Sequence, residues 1–293
     1  MIHAVDSTQN ELLHALERAG CASVLASLEA VEWTLGQVLC DTGCVSQYVY
    51  FPSTAIISLA CLTEDGECAE VAAVGNEGLV GVSVFMGGVS TNCSAEVQRA
   101  GTGHRITSHA LQTAFYQGGP LVQILLRYTQ TLMTQITQAA VCNRHHALAQ
   151  QLCRWLLHML DRVHGNDMAV TQQAIARALG VRREGVTEAA LKLQRAGLIS
   201  YRRGHITVLD RHSLEQQACE CYALVSKECG RLRPRGMPTQ YLANRKVELR
   251  DAVSLSARAT HDAVPFRAMQ RPPRPRLHGF ELHARLLDEA GVP

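Results

Sequence analysis

Arg183, Glu184, Thr187 and Glu188 carry hydrogen-bonding groups at spacings that share one face of a helix. A guanidinium bonds at two points to a guanine edge, and a carboxylate accepts from a cytosine amino group or holds the arginine in place. This face therefore has the chemistry of reading base edges in a major groove. A second set, Thr171, Gln172, Lys192, Arg202, Arg203 and His205, offers groups suited to backbone phosphates, which give affinity and salt dependence without sequence information.

Such residues read DNA only if the elements beneath them hold their geometry. Ile175, Ala178 and Leu179 recur at i, i+3, i+4, predicting a helix that begins near Thr171, a suitable N-cap, and ends at Gly180. A second helix is expected from Arg182 or Arg183, buried through Val186, Ala189, Ala190 and Leu193. Behind it, Leu198 to Arg202 and His205 to Leu209 read as two strands around Arg203-Gly204, a basic wing. A lone helix pair with a charged face is more simply a solvated surface. The helix pair, polar-faced second helix and basic hairpin in succession point instead to a winged helix-turn-helix.

TQQAIARALGVRREGVTEAALKLQRAGLI followed by YRRGHITVLD resembles the winged helix of the Crp/Fnr superfamily of bacterial transcription regulators. The resemblance covers about residues 30 to 229. It implies an α+β chain: an N-terminal jelly-roll-like β-roll sensor, a long dimerisation helix and a C-terminal winged helix-turn-helix. It also implies double-stranded DNA, a second copy of the chain and RNA polymerase as partners. Arg183 and Glu184 match the Arg-Glu pair that opens the family's recognition helix, whereas Glu188 stands where the cyclic-AMP receptor has another arginine.

The earlier chain fits this order. Residues 1–30 are expected as a helical lead-in, through Leu12, Leu16, Leu25 and Leu28 with a break at Gly20. Residues 31–119 carry short runs of Val, Ile, Tyr and Phe between turn residues, the pattern of a small β-roll. Strands are expected at Tyr48–Pro52, and at 55–63 and 68–74 around Glu64-Asp65-Gly66-Glu67. Two more are expected at 95–99 and 104–107 around a turn at residues 100–103, then a short helix from Ser108 to Tyr116. Residues 120–146 begin with Pro120 and carry Leu121, Leu125, Tyr128, Leu132, Gln135, Ala139 and Cys142 at alternating four- and three-residue steps. A core helix packed on its own domain would carry the same stripe; the length and the mixed polar seam favour a partner helix, so this is read as a dimer seam, with a hinge at 140–147. Residues 147–229 hold a helix from Ala147 to Val163, a loop at 165–167, the winged helix and a final helix from Leu214 to Cys229. The Arg/Pro-rich residues 230–293 read as a disordered tail.

Cyclic-nucleotide binders of this superfamily carry a phosphate cassette resembling G-E-L and then R-S-A or R-T-A. Here Gly81 is followed by Val82 and Ser83, and Cys93 stands where the arginine would be, before Ser94. These four residues mark the expected effector pocket, without a carboxylate for a ribose or a guanidinium for a cyclic phosphate. An anion buried there would lack its counter-charge, so the effector is expected not to be cyclic AMP. Gly75, Gly78 and Gly81 match neither the dinucleotide fingerprint nor the P-loop, and are read as β-roll turn residues. With no nucleophile–base motif, no enzyme is expected.

The 11 cysteines are odd in number and scattered, which suits reduced thiols and small buried residues. Cys40 with Cys44 and Cys219 with Cys221 are close pairs, but neither has a matching cluster in sequence. His145 and His146 are adjacent and cannot both face one ion from a regular helix. No metal and no cofactor are therefore expected. The net charge is +2; residues 230–293 hold 12 Lys and Arg against 6 Asp and Glu, leaving 16 against 20 for residues 1–229. Any nucleic-acid surface must be local. The N-terminus lacks the basic start and apolar run of a signal peptide, and no segment reads as a membrane span, so a cytoplasmic protein is expected.

Overall fold

The computed structural model describes residues 9–232, apart from 65, 67, 89 and 164. The tail expected at residues 230–293 lies almost wholly outside these. Two short helices, α1 (Glu11–Arg18) and α2 (Ala22–Ala26), lead in. Asn10 caps α1 by accepting from the Leu13 amide, and its own amide donates to the Pro52 and Gly78 carbonyls. One buried side chain thus ties the first helix to the end of a strand and to a loop of the next unit.

That unit is built from β1 (Glu29–Trp33), β2 (Val38–Cys40), β3 (Tyr48–Pro52), β4 (Ile56–Leu62), β5 (Cys68–Val74), β6 (Ser94–Arg99) and β7 (Gly101–Thr107). One antiparallel sheet has the order β1-β7-β3 and the other β2-β6-β4-β5. Their inner faces share a core that includes Val49, Phe51 and Ile106 from the first and Ile57, Val74 and Ala95 from the second. β4 and β5 form the expected hairpin; Asp65 and Glu67 of its turn lie outside the described residues.

The turn expected at residues 100–103 is corrected. Gly101–Gly103 begins β7, and the chain passes at Ala100 from one sheet to the other instead of closing a hairpin. Glycines stand there because a Cβ on Gly103 would lie 2.5 Å from the Trp33 ring, and one on Gly101 2.6 Å from the Ala55 nitrogen. Gly75 and Gly78 have a similar cause, for a Cβ on Gly78 would lie 2.2 Å from the Tyr128 ring. Gly78 permits close approach of its loop to the helix that carries Tyr128, and Gly75 leaves room for the Arg162 side chain.

After α3 (Ser108–Tyr116), α4 runs unbroken from Pro120 to His145. The stripe expected as a dimer seam is corrected: Leu121, Leu125, Tyr128, Leu132, Gln135, Ala139 and Cys142 are all buried within the chain itself. Tyr128 donates to the Leu79 carbonyl and Gln135 to that of Ala73, so most of this face packs on the chain's own β-roll, while its end at Cys142 meets Cys219 and Cys221. A helix buried along one stripe shows the same spacing whether the neighbour is its own domain or a partner. The hinge expected at 140–147 also contracts, since only His146 and Ala147 interrupt the helices.

The C-terminal unit comprises α5 (Leu148–Leu160), β8 (Asp167–Ala169), α6 (Gln172–Leu179), α7 (Arg183–Arg195), β9 (Ile199–Arg202), β10 (His205–Val208), α8 (Arg211–Gln217) and α9 (Glu220–Leu232). Two expectations change here. Part of the loop expected at 165–167 begins β8, a third strand beside β10, and the single final helix is two, broken at Ala218 and Cys219.

The core beneath α5, α6 and α7 also contains Ile56 and Ala73 of the β-roll. Around it, Trp155 donates to Glu70, Arg177 pairs with Glu96, and Arg162 is buried against Glu77 with a 2.7 Å contact.

Candidate nucleic-acid interface

The interface rests on local folding signals. Thr171 caps α6 by accepting from the Ala174 amide, and Gly180 closes that helix in a left-handed conformation. α7 then turns Val186, Ala189, Ala190 and Leu193 inward and leaves Arg183, Glu184 and Glu188 exposed. Gly185, within α7, faces α5; a Cβ there would lie 2.9 Å from the end of the Leu148 side chain. The β9–β10 hairpin turns through Arg203 and Gly204, with φ of 49° and 80°. Two successive positive φ values make the turn that matches strand twist, and the wing extends from it.

A cleft of about 600 Å³ lies among α6, α7 and this hairpin. It brings together Thr171, Gln172, Arg183, Thr187 and Arg203 of the expected residues. Glu184, Glu188, Lys192, Arg202 and His205 are exposed but are not part of its lining.

Internal contacts separate these groups further. The Thr187 hydroxyl donates to Gln172 and is also 3.0 Å from the Arg183 carbonyl. Lys192 and Glu188 pair with each other at 2.8 Å, and the hydrogen bond to Lys192 lowers the Glu188 pKa. His205 lies 3.5 Å from Asp167. Arg183, Arg202 and Arg203, by contrast, have no ion pair among the described residues, unlike Arg177 and Arg211, which pair with Glu96 and Asp161.

Sequence reasoning missed Tyr201, Gln173 and Gln194 in the cleft, which Leu191 of the exposed face of α7 also lines. Burial raises the Tyr201 pKa and nearby Arg183 acts in the opposite direction, while its hydroxyl donates to the Val170 carbonyl. The ring thus props the wing against the start of α6. Leu191 is 45% exposed on the polar side of α7, which suits contact with a thymine methyl.

The expected effector residues occupy two places. Val82 and Ser83 lie in one turn of 3-10 helix after Gly81, and Cys93 and Ser94 lie at the entry to β6. Cys93 is bridged to Cys61, and the Ser94 hydroxyl donates to the Ala60 carbonyl. The bridge departs from the expectation of reduced thiols at Cys61 and Cys93 alone. A second correction is that Cys142, His146, Cys219 and Cys221 converge, their ligand atoms within 4.8 Å of one another. Among the described residues no helix is long and apolar enough to cross a membrane.

Residues 150–217 match the Crp-like helix-turn-helix domain. No curated protein matches the chain. Among solved structures, FixK2 from Bradyrhizobium japonicum is similar at 17% identity, with a TM-score of 0.58, covering 66% of this chain and 98% of its own. A Crp-family transcriptional regulator from Thermus thermophilus is 19% identical, with a TM-score of 0.53 and coverages of 64% and 96%. CLP from Xanthomonas campestris, described as a c-di-GMP responsive global regulator, is 17% identical, with a TM-score of 0.53 and coverages of 65% and 98%. At these identities the likeness establishes the fold, which is that of Crp/Fnr-family regulators.

Proposed function

We propose that this chain, with its Crp-like helix-turn-helix domain and Crp/Fnr fold, is a dimeric, sequence-specific DNA-binding transcription regulator. The observation that carries the reading is the set of exposed cations, Arg183, Arg202 and Arg203, without ion pairs among the described residues, around the α6–α7–wing cleft. Cations without protein partners are available to phosphates and base edges. Arg183 and Glu184 read bases at the front of α7, and Arg202 and Arg203 hold phosphates from the wing. Thr187 and Gln172 brace each other, so their role is to position Arg183. Glu188 and Lys192 neutralise each other and contribute less.

Dimerisation uses the other side of α4. Val122, Leu126, Met133, Ile136 and Ala140 each lie one residue beyond a position of the seam expected from sequence, with buried Thr129 between Leu126 and Met133. Leu126 is 49% and Met133 53% exposed, an unusual state for large apolar side chains in a regular stripe. Two copies joined here bring two recognition helices to one duplex, the arrangement that reads a two-fold-related site. A Leu126→Glu, Met133→Glu variant is expected to sediment as a monomer where the wild type sediments as a dimer. A wild-type monomer, or a variant that remains dimeric, would remove this seam from the proposal.

The effector is not cyclic AMP bound through the family's cassette, because uncharged Cys93 stands where the phosphate-binding arginine would and leaves the anion without a counter-charge. A signal at the β-roll has a direct route to the winged unit, since Glu70, Glu77 and Glu96 bond to Trp155, Arg162 and Arg177. The signal acts by favouring one arrangement of the recognition helices. Duplex binding measured with and without cyclic AMP tests the cassette's loss: affinity should not change. RNA polymerase is the partner through which bound protein alters transcription, and the chain works in the cytoplasm without enzymatic activity.

A further inference from the structure

We propose that Cys142, His146, Cys219 and Cys221 form a closed four-ligand site for a single zinc ion. Their ligand atoms lie within 4.8 Å of one another, and three of the four residues are buried. Sγ of Cys142 is 3.5 Å from that of Cys219, and Sγ of Cys221 is 3.6 Å from Nδ1 of His146. At a Zn–S distance of about 2.3 Å, a tetrahedral arrangement sets sulfurs about 3.8 Å apart. Both edges are therefore near the spacing one ion imposes. An iron–sulfur cluster places its own atoms between the ligands and spreads them further, so the compact set favours a mononuclear centre. Three sulfurs and one imidazole nitrogen are a zinc donor set, and four protein ligands leave no open position, as in structural sites.

The surroundings are arranged as supports for a metal site. Nε2 of His146 lies 3.3 Å from the Glu220 carboxylate, which leaves Nδ1 toward the sulfurs. A carboxylate on the far ring nitrogen fixes the tautomer and orientation of a metal-bound histidine. Gln151 donates to the backbone carbonyls of both His146 and Cys142, at 2.8 and 3.3 Å. Cys142 and His146 are one helical turn apart and so face the same way. The other two ligands come from the break between α8 and α9, where Cys219 precedes the helix and Cys221 lies in its first turn. Three thiolates and one neutral imidazole around Zn²⁺ leave one negative charge. Buried Arg154, with no ion pair among the described residues, acts electrostatically on Cys142 and supplies the opposite sign.

The ion would clip α9 to the end of α4, beside the short joint from which α5 begins. Zinc binding releases the thiol protons and stabilises the folded joint.

The test begins with elemental analysis of the full-length chain, purified without chelator from zinc-supplemented cells. About one zinc per chain is expected, and protein loaded with cobalt(II) should show the visible bands of tetrahedral sulfur coordination. Cys221→Ser should lose the zinc, whereas Cys153→Ser, another buried cysteine outside the set, should keep it. Loss of a buried ligand can also unfold the chain, so Glu220→Gln supplies an independent readout. It should weaken zinc about 10- to 100-fold against a chromophoric chelator while leaving all four ligands in place. Folded wild-type protein without zinc under these conditions, a Cys142–Cys219 disulfide found by alkylation and mass spectrometry, or full zinc retention by Cys221→Ser would each overturn the assignment.

Discussion

The winged face and the contact between β-roll and α5 use the same residue types to different ends. At α7 and the wing, Arg183, Arg202 and Arg203 stand in solvent without ion pairs among the described residues, beside an open cleft. At the contact, Arg162 and Glu77 have side chains only 5% and 12% exposed and satisfy each other. Arg162 also donates to the His158 and Ala73 carbonyls. Burial works against its charge, and Glu77 more than offsets that effect, raising the arginine's pKa. An arginine whose bonds are all made within the fold holds elements together. One left in water has its donors free for a polyanion.

The largest expected effect tests the buried half of this comparison. Arg162→Met leaves Glu77 without its counter-charge and should destabilise the chain by about 3–5 kcal/mol, measured by urea unfolding. The double variant Arg162→Met, Glu77→Leu should recover much of that loss, since an apolar pair of similar volume avoids the desolvation penalty. Equal stability of wild type and single variant would mean that the pair does not hold the contact.

A smaller effect tests the exposed half. Arg203→Ala should leave stability unchanged to within about 0.5 kcal/mol. It should weaken binding uniformly across duplex sequences and reduce the logarithmic salt slope by about one unit per protomer. A change confined to one base position would reassign Arg203 from phosphate to base contact. The smallest effect belongs to the ion pair on α7: Glu188→Gln should leave the urea midpoint almost unchanged, because an exposed pair four residues apart contributes little.

The winged unit was the more legible region because its signals are local. The Thr171 cap, the Gly180 stop, the helical period of Val186, Ala189, Ala190 and Leu193, and the Arg203-Gly204 turn each lie within a few residues of the structure they determine. Pro120 likewise gave the start of α4. Features made by distant segments were not legible. The spacing of Leu121 through Cys142 revealed a buried stripe but not what buries it; only the packed β-roll distinguishes that face from the one carrying Leu126 and Met133. Cys61 and Cys93 are 32 positions apart, and Cys142 and Cys219 are 77. The close spacing of Cys219 and Cys221 was visible, but not the helix break that turns them toward His146. On this face, Arg183 and Glu184 were found from residue type and helical phase, whereas Tyr201 in the cleft required the wing to be folded back against α6.

Selection of bound duplexes from a random pool, by the full-length wild type beside an Arg183→Ala, Glu184→Ala variant, tests the central claim most directly. The account predicts a two-fold-related motif enriched by the wild type and lost from the folded variant, with each bidentate base contact worth about 1–3 kcal/mol of discrimination. An identical motif enriched by both proteins, or none enriched by the wild type with or without added cell extract, would contradict it.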